Sequence, residues 1–196
     1  MSVDPRYDEL MRGFYTAQLP AWLPAAKAPW FARESRRRRT ELAALLKKRW
    51  PCASYYARCA VDEEFAAHVC RAFGTDTRPA ASLVCALHTA MLDVLARRSN
   101  AAAFDLVRYE SLLESDVPLP SGIARGGLTL IRLGHDVPTA YPHLQHLRGA
   151  LAPPSMVLEY PLERTPVWVA VKDGPGKRIV APIEAPGSEP VAERAA

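Results

Sequence analysis

The sequence predicts an α+β protein, an N-terminal helical bundle followed by a small C-terminal antiparallel β-module. Three observations carry that prediction. Before Asp116 the apolar residues recur at three- and four-residue spacing, from Leu128 to Ile183 they form strand-like runs, and Pro118 and Pro120 lie between the two regimes. The expected division is a helical portion over 1–117, a β-rich portion over 118–184, and a Pro/Glu/Ala-rich tail over 185–196 too poor in apolar residues to fold.

The helical portion follows in chain order. Asp4-Pro5 supplies an N-cap and a first-turn proline, and Tyr7, Leu10, Met11 and Phe14 then share a face up to the stop at Pro20. Pro20, Pro24 and Pro29 predict an extended segment pinned by Trp22 and Trp30, with Trp22 expected as a core anchor. A single helix accounts for Trp30 to Trp50, its apolar residues Leu42, Leu45 and Leu46 on one side and Pro51 as its stop. The run Arg36 to Arg39 sweeps most of a helical turn, so it is either a solvated face or a surface for a partner. Asp62-Glu63-Glu64 starts the next helix at the dipole end that favours acids, and Gly74 closes it. Leu83, Val84, Leu87, Met91, Leu92 and Leu95 form the most apolar helical pattern, suited to the centre of the bundle. A last helix runs from Phe104 to Leu113.

The β-module is expected to contain Leu128–Leu133, Met156–Tyr160, Val167–Lys172 and Arg178–Ile183 as strands, with glycines 122, 126 and 127 serving only as a turn into the first. Asp173-Gly174-Pro175-Gly176 joins the last two as a hairpin, and a meander with Val167–Lys172 at its centre leaves Met156–Tyr160 at the edge. Residues 138–151 are long enough for a short helix covering one face. A small sheet keeps an open edge, which either accepts an extended peptide or is covered by the helical half or the tail. On the first alternative Met156, Val157, Leu158, Glu159 and Tyr160 are the candidate peptide-binding strand. Trp168 and Arg132 are further contacts, Arg132 as the charge that meets an acidic peptide.

Composition narrows the chemistry. Within 196 residues, 49% hydrophobic, one substantial core can form, and a net charge of +4 with a pI near 9.0 favours acidic partners without choosing among them. No apolar run is long enough to span a bilayer and the N-terminus is charged, so a cytoplasmic location and no membrane partner are expected. Cys52, Cys59, Cys70 and Cys85 lack any C-x-x-C spacing and are expected as reduced thiols; His143 and His146 form at most half a metal site. No nucleophile elbow or phosphate loop occurs, and Asp62, Glu63 and Glu64 splay around their helix. The expectation is therefore no catalytic residue, no metal ligand and no cofactor in this chain, and a binding or adaptor role. A DNA-binding regulator is the alternative, motivated by Arg36 to Arg39, but no helix-turn-helix is evident and nucleic acid is not the partner expected.

The order Glu34-Ser35-Arg36 to Trp50-Pro51, Glu64-Phe65, Phe104-Asp105-Leu106-Val107-Arg108-Tyr109-Glu110 and Gly127-Leu128-Thr129-Leu130-Ile131-Arg132-Leu133 resembles a family of bacterial proteins often labelled DNA-binding. These are partner subunits of multinuclear non-haem iron oxidases that modify ribosomally made peptides, and the similarity is greatest to those of methanobactin and thiaglutamate biosynthesis. It covers most of residues 30 to 183. The resemblance implies a heterodimer in which a helical portion docks on a barrel-type iron oxidase, with Arg33, Arg36, Arg37 and Arg39 as candidate partner contacts. The β-rich portion would hold the leader of a precursor peptide, and the iron would belong to the oxidase. The tail from Ala185 to Ala196 maps to nothing in that family.

Overall fold

Asp4 starts the first helix as its position requires. Its carboxylate accepts the Arg6 amide at 2.9 Å, helix α1 (Pro5–Thr16) follows, and Ala17 ends it in the left-handed region. The computed structural model describes residues 4–58, 61–75, 83–150, 158, 160–174 and 178–186, and within them the chain is α+β. A short 3-10 turn, Ala25–Lys27, leads into α2 (Ala28–Arg49), which lies against α1 through Phe31 stacked on Phe14 and the Ser35 hydroxyl donating to the Phe14 carbonyl. Trp22 is not the core anchor expected of it. It stands 38% exposed, with its indole N–H donating to Glu9 and the Arg6 guanidinium over its ring.

Pro51 does more than stop α2: it opens a further helix, α3 (Pro51–Tyr56), in the first-turn position where its missing N–H costs nothing. Helices α4 (Glu63–Thr75), α5 (Leu83–Arg97) and α6 (Ala101–Leu112) complete the bundle. After strands β1 (Ile123–Arg125) and β2 (Leu128–Leu133) comes α7 (Val137–Ala150), the short helix expected there, which lies against α3 and α6 instead of covering a face of the sheet, then β3 (Val167–Asp173) and β4 (Arg178–Ile183). Among the described residues no helix is long and apolar enough to cross a membrane.

One apolar cluster joins the helices to the sheet across residue 117. Trp50, Leu87, Leu106 and Leu112 from the bundle are buried in the same cluster as Ile131, Leu133, Val169 and Val171 from the sheet and Leu144 from α7. Truncating any such leucine to alanine costs about 2–5 kcal/mol.

A polar hub sits inside this cluster. The buried Glu110 carboxylate on α6 accepts the amides of Cys52 and Ala53 at the start of α3, both at 2.9 Å, and the Tyr141 hydroxyl of α7 at 3.2 Å. Three elements are thereby pinned to one side chain. Burial raises the Glu110 pKa to about 7 against the opposing pull of those donors, and burial, reinforced by Glu110, pushes the Cys52 thiol up to about 12. Nearby, His88 stacks on Trp50, and burial followed by the charge of Arg108 lowers its pKa to about 4.

The sheet is antiparallel in the order β1-β2-β3-β4. Two expectations fail here. The segment read as a plain turn is a strand: β1 pairs with β2, Arg125 opposite Leu128, through Gly126 and Gly127, both at positive φ as a two-residue type I′ hairpin demands. Val167–Asp173 is internal as expected, but its second neighbour is β2 and not Met156–Tyr160. Of that segment 156, 157 and 159 lie outside the described residues, and Leu158 and Tyr160 are not in a strand.

Candidate functional site

Alternation along the strands separates two faces of the sheet. Ile131, Leu133, Val169 and Val171 face the core cluster. The opposite face carries three rows read from the pairing register: Ile123, Leu130, Ala170 and Ala181 through the middle, Arg132, Trp168 and Ile183 on one side, and Arg125, Leu128, Lys172 and Ile179 on the other. Leu130 and Ala170 are buried at its centre yet lie outside the core cluster. Around them Ile123 is 51% exposed and Ile179 63%, and the charged positions, Arg125, Arg132 and Lys172, are all cationic. Such a face suits a ligand that is apolar along one side and acidic at its ends.

Beside this face runs an open edge. Among the described residues nothing pairs with the outer side of β4 or of β1. The direction of the backbone groups on β4 follows from the hairpin at the other end of the sheet. Arg125 and Leu128 close a two-residue turn and so exchange hydrogen bonds, and strict alternation across the ladders then turns the N–H and C=O of Ala181 toward β3 and those of Arg178 and Val180 outward. Pro182 falls in an outward position, where a missing N–H leaves the ladder intact.

Arg178 fixes this edge to the helical body. Its side chain is buried and donates to the carbonyls of Glu114 and Val117, both at 2.6 Å, and to the Asp173 carboxylate at 2.7 Å. The strand is thus anchored at its first residue, while Ala181–Ile183 is exposed.

The residues singled out from the sequence divide under this geometry. Arg132 and Trp168 come together as direct cross-strand partners on the outward face. Leu158 does not join them: its side chain is buried in the core cluster and its amide bonds the Tyr55 carbonyl. Tyr160 turns its ring to His143 of α7, centroids 4.8 Å apart. Met156, Val157 and Glu159 lie outside the described residues. Among the arginines, Arg37 is locked to Glu34 and Glu41, Arg33 is exposed, and Arg36 and Arg39 line a separate groove of α2. Ile123, Lys172, Ile179 and Ile183 were not singled out, although period-two alternation against β3 is the signal that places the last three on this face.

Among the described residues no group of three or more His, Cys, Asp or Glu side chains converges as a metal site. Cys52 and Cys70 are buried thiols in no disulfide, the Cys85 thiol donates to the Asp116 carbonyl at 3.8 Å, and Cys59 lies outside the described residues. Comparison with protein-family models, curated proteins and solved structures finds no match for this chain.

Proposed function

We propose that this chain is a non-catalytic partner subunit. It takes up the leader of a ribosomally synthesised precursor peptide as an added strand on β4 and presents the cysteine-containing core to an iron-dependent barrel oxidase in a cytoplasmic complex. The observation that supports this reading is the outer edge of β4, unpaired among the described residues, beside a face that carries Trp168 and Arg132 and, among its charges, only cations. An edge of this kind gives main-chain affinity to any extended peptide, and the pockets between alternate side chains give the choice among them. Trp168 is the anchor and Arg132 the charge that selects an acidic leader. The oxidase supplies iron and oxygen chemistry. This chain supplies position, because a leader held nearby raises the effective concentration of the reactive cysteine at the partner's metal. The helical body, with Arg33 and the exposed rings of Trp22 and Trp30, is the surface that meets the oxidase.

The test is a binding titration of the full chain with synthetic peptides encoded by short reading frames beside its gene. Two N-methylated versions of any binder are then compared, one methylated at odd and one at even positions. Strand addition loses affinity in one set and keeps it in the other. Equal retention in both sets, or no binding by any neighbouring peptide, removes the proposal.

A further inference from the structure

Helix α2 carries more arginine than its own acids can neutralise, and the surplus is sorted to one side. At 100° per residue Glu34, Arg37, Arg38 and Glu41 fall close together. They neutralise one another: Arg37 bonds Glu34 and Glu41, and Arg38 bonds Glu34 at 2.8 Å. Arg36, Arg39 and Lys47 fall on another side with Thr40, Ala43 and Ala44. With Val61 these residues line a groove of about 540 Å³.

Nothing acidic among the described residues answers that charge. Among the described residues neither Arg36 nor Arg39 has a carboxylate within ion-pair distance, and Lys47 rests its ammonium over the Tyr55 ring at 5.5 Å. Asp62, next to Val61 in the chain, is already held by Arg98 and by the Phe65 amide. The Nε–H of Arg39 is buried without any acceptor. A buried donor left unpaired costs free energy that an oxygen from outside the chain would recover once the guanidinium turned toward the groove.

We propose that this groove binds a small phosphorylated ligand, a site independent of the peptide-binding reading of the sheet. Two guanidinium forks and an ammonium match the charge and the several acceptor oxygens of a phosphate dianion. A monocarboxylate would leave most of that positive charge uncompensated. The short apolar floor of Ala43, Ala44 and Val61 gives the organic part of a phosphate ester a surface to lie on.

The experiment follows the Arg39 Nε–H resonance of the full chain by NMR while inorganic phosphate, adenosine monophosphate or acetate is added at constant ionic strength. A saturable shift with phosphate or adenosine monophosphate, and none with acetate, is expected. Tighter adenosine monophosphate points to a phosphate ester and equal affinities to free phosphate; either supports the site. Arg39→Lys, which keeps the charge but removes the fork and with it the reporting resonance, and Ala43→Glu, which places a carboxylate in the groove, are compared with the parent by calorimetry and should each weaken binding at least about tenfold. Both variants should keep the parent's thermal midpoint. Absence of a saturable shift overturns the proposal, as does equal binding of acetate or unchanged affinity in both variants. A DNA duplex that binds through the same residues far more tightly than adenosine monophosphate also overturns it, by making the groove a nucleic-acid surface.

Discussion

Arg132 and Trp168 stand directly opposite one another on β2 and β3, on the face of the sheet turned away from the core. Tryptophan and arginine are among the side chains that most often dominate binding energy at protein surfaces, since both offer large contact area. Trp168→Ala is expected to weaken peptide binding by about 2–4 kcal/mol and, because the ring is partly buried on the sheet, to lower folding stability as well. Arg132→Glu should slow association and weaken the bound complex most at low salt. Calorimetry at two ionic strengths checks both; unchanged leader affinity in Arg132→Glu shows that Arg132 has no part in recognition.

The pH dependence of stability should contain two opposed slopes. Glu110 has its folded pKa raised from 4.5 to about 7, so its full contribution is present below pH 4.5 and is lost as pH rises toward 7, about 3 kcal/mol in all. His88 has its folded pKa lowered from 6.5 to about 4, so its contribution is present above pH 6.5 and is lost over a similar range as pH falls toward 4. Between pH 4.5 and 6.5 the two nearly cancel. Urea unfolding should therefore show little pH dependence from this pair in the parent. Glu110→Gln should lose stability on acidification, and His88→Phe should lose it on alkalinisation. Parallel profiles in all three proteins would contradict the assignment.

Arg178 holds β4 to the end of the helical bundle. Arg178→Ala removes three charge-assisted hydrogen bonds and leaves the carbonyls of Glu114 and Val117 to find other donors, at a cost of about 3–5 kcal/mol. Lysine should restore only part of this, because one ammonium cannot reproduce the spread of the fork. Amide hydrogen exchange should show the β3–β4 ladder losing protection before β1–β2.

The β1–β2 hairpin depends on backbone conformations that side chains disfavour. Gly127→Val should cost about 1–2 kcal/mol, since φ is 76° there, whereas Gly126→Asn, at φ 58°, should cost little. Thermal melts of the two variants measure the difference.

The helices were legible in the sequence wherever an apolar period met a cap, as at Asp4-Pro5, and β2 and β4 were legible as apolar runs bounded by turns. What was not legible depended on distance along the chain. Met156–Tyr160 lies just before β3 in sequence, so local reasoning made them neighbours, but β2 reaches β3 across the whole of α7 and takes the position. β1 is three residues long between glycines, below the length at which alternation can be recognised. The four consecutive arginines look equivalent on paper. Only the placement of Glu34 and Glu41 at three- and four-residue spacing separates the neutralised Arg37 and Arg38 from Arg36 and Arg39. Arg178 gave no sign of its anchoring role, because its acceptors are main-chain carbonyls more than sixty residues away.

Pro182 has a further consequence for the life of this sheet in a crowded solution. A bare outer strand is a template for any other strand, and the most abundant candidate is β4 of another molecule. Two such strands meeting edge to edge would each bring a proline where the other needs a donor, and would bring their cationic faces alongside. Under the proposed function, a peptide added to the same edge would pair with the stretch before the proline. One residue would then let the sheet remain sociable toward a guest and still refuse to polymerise with its own kind.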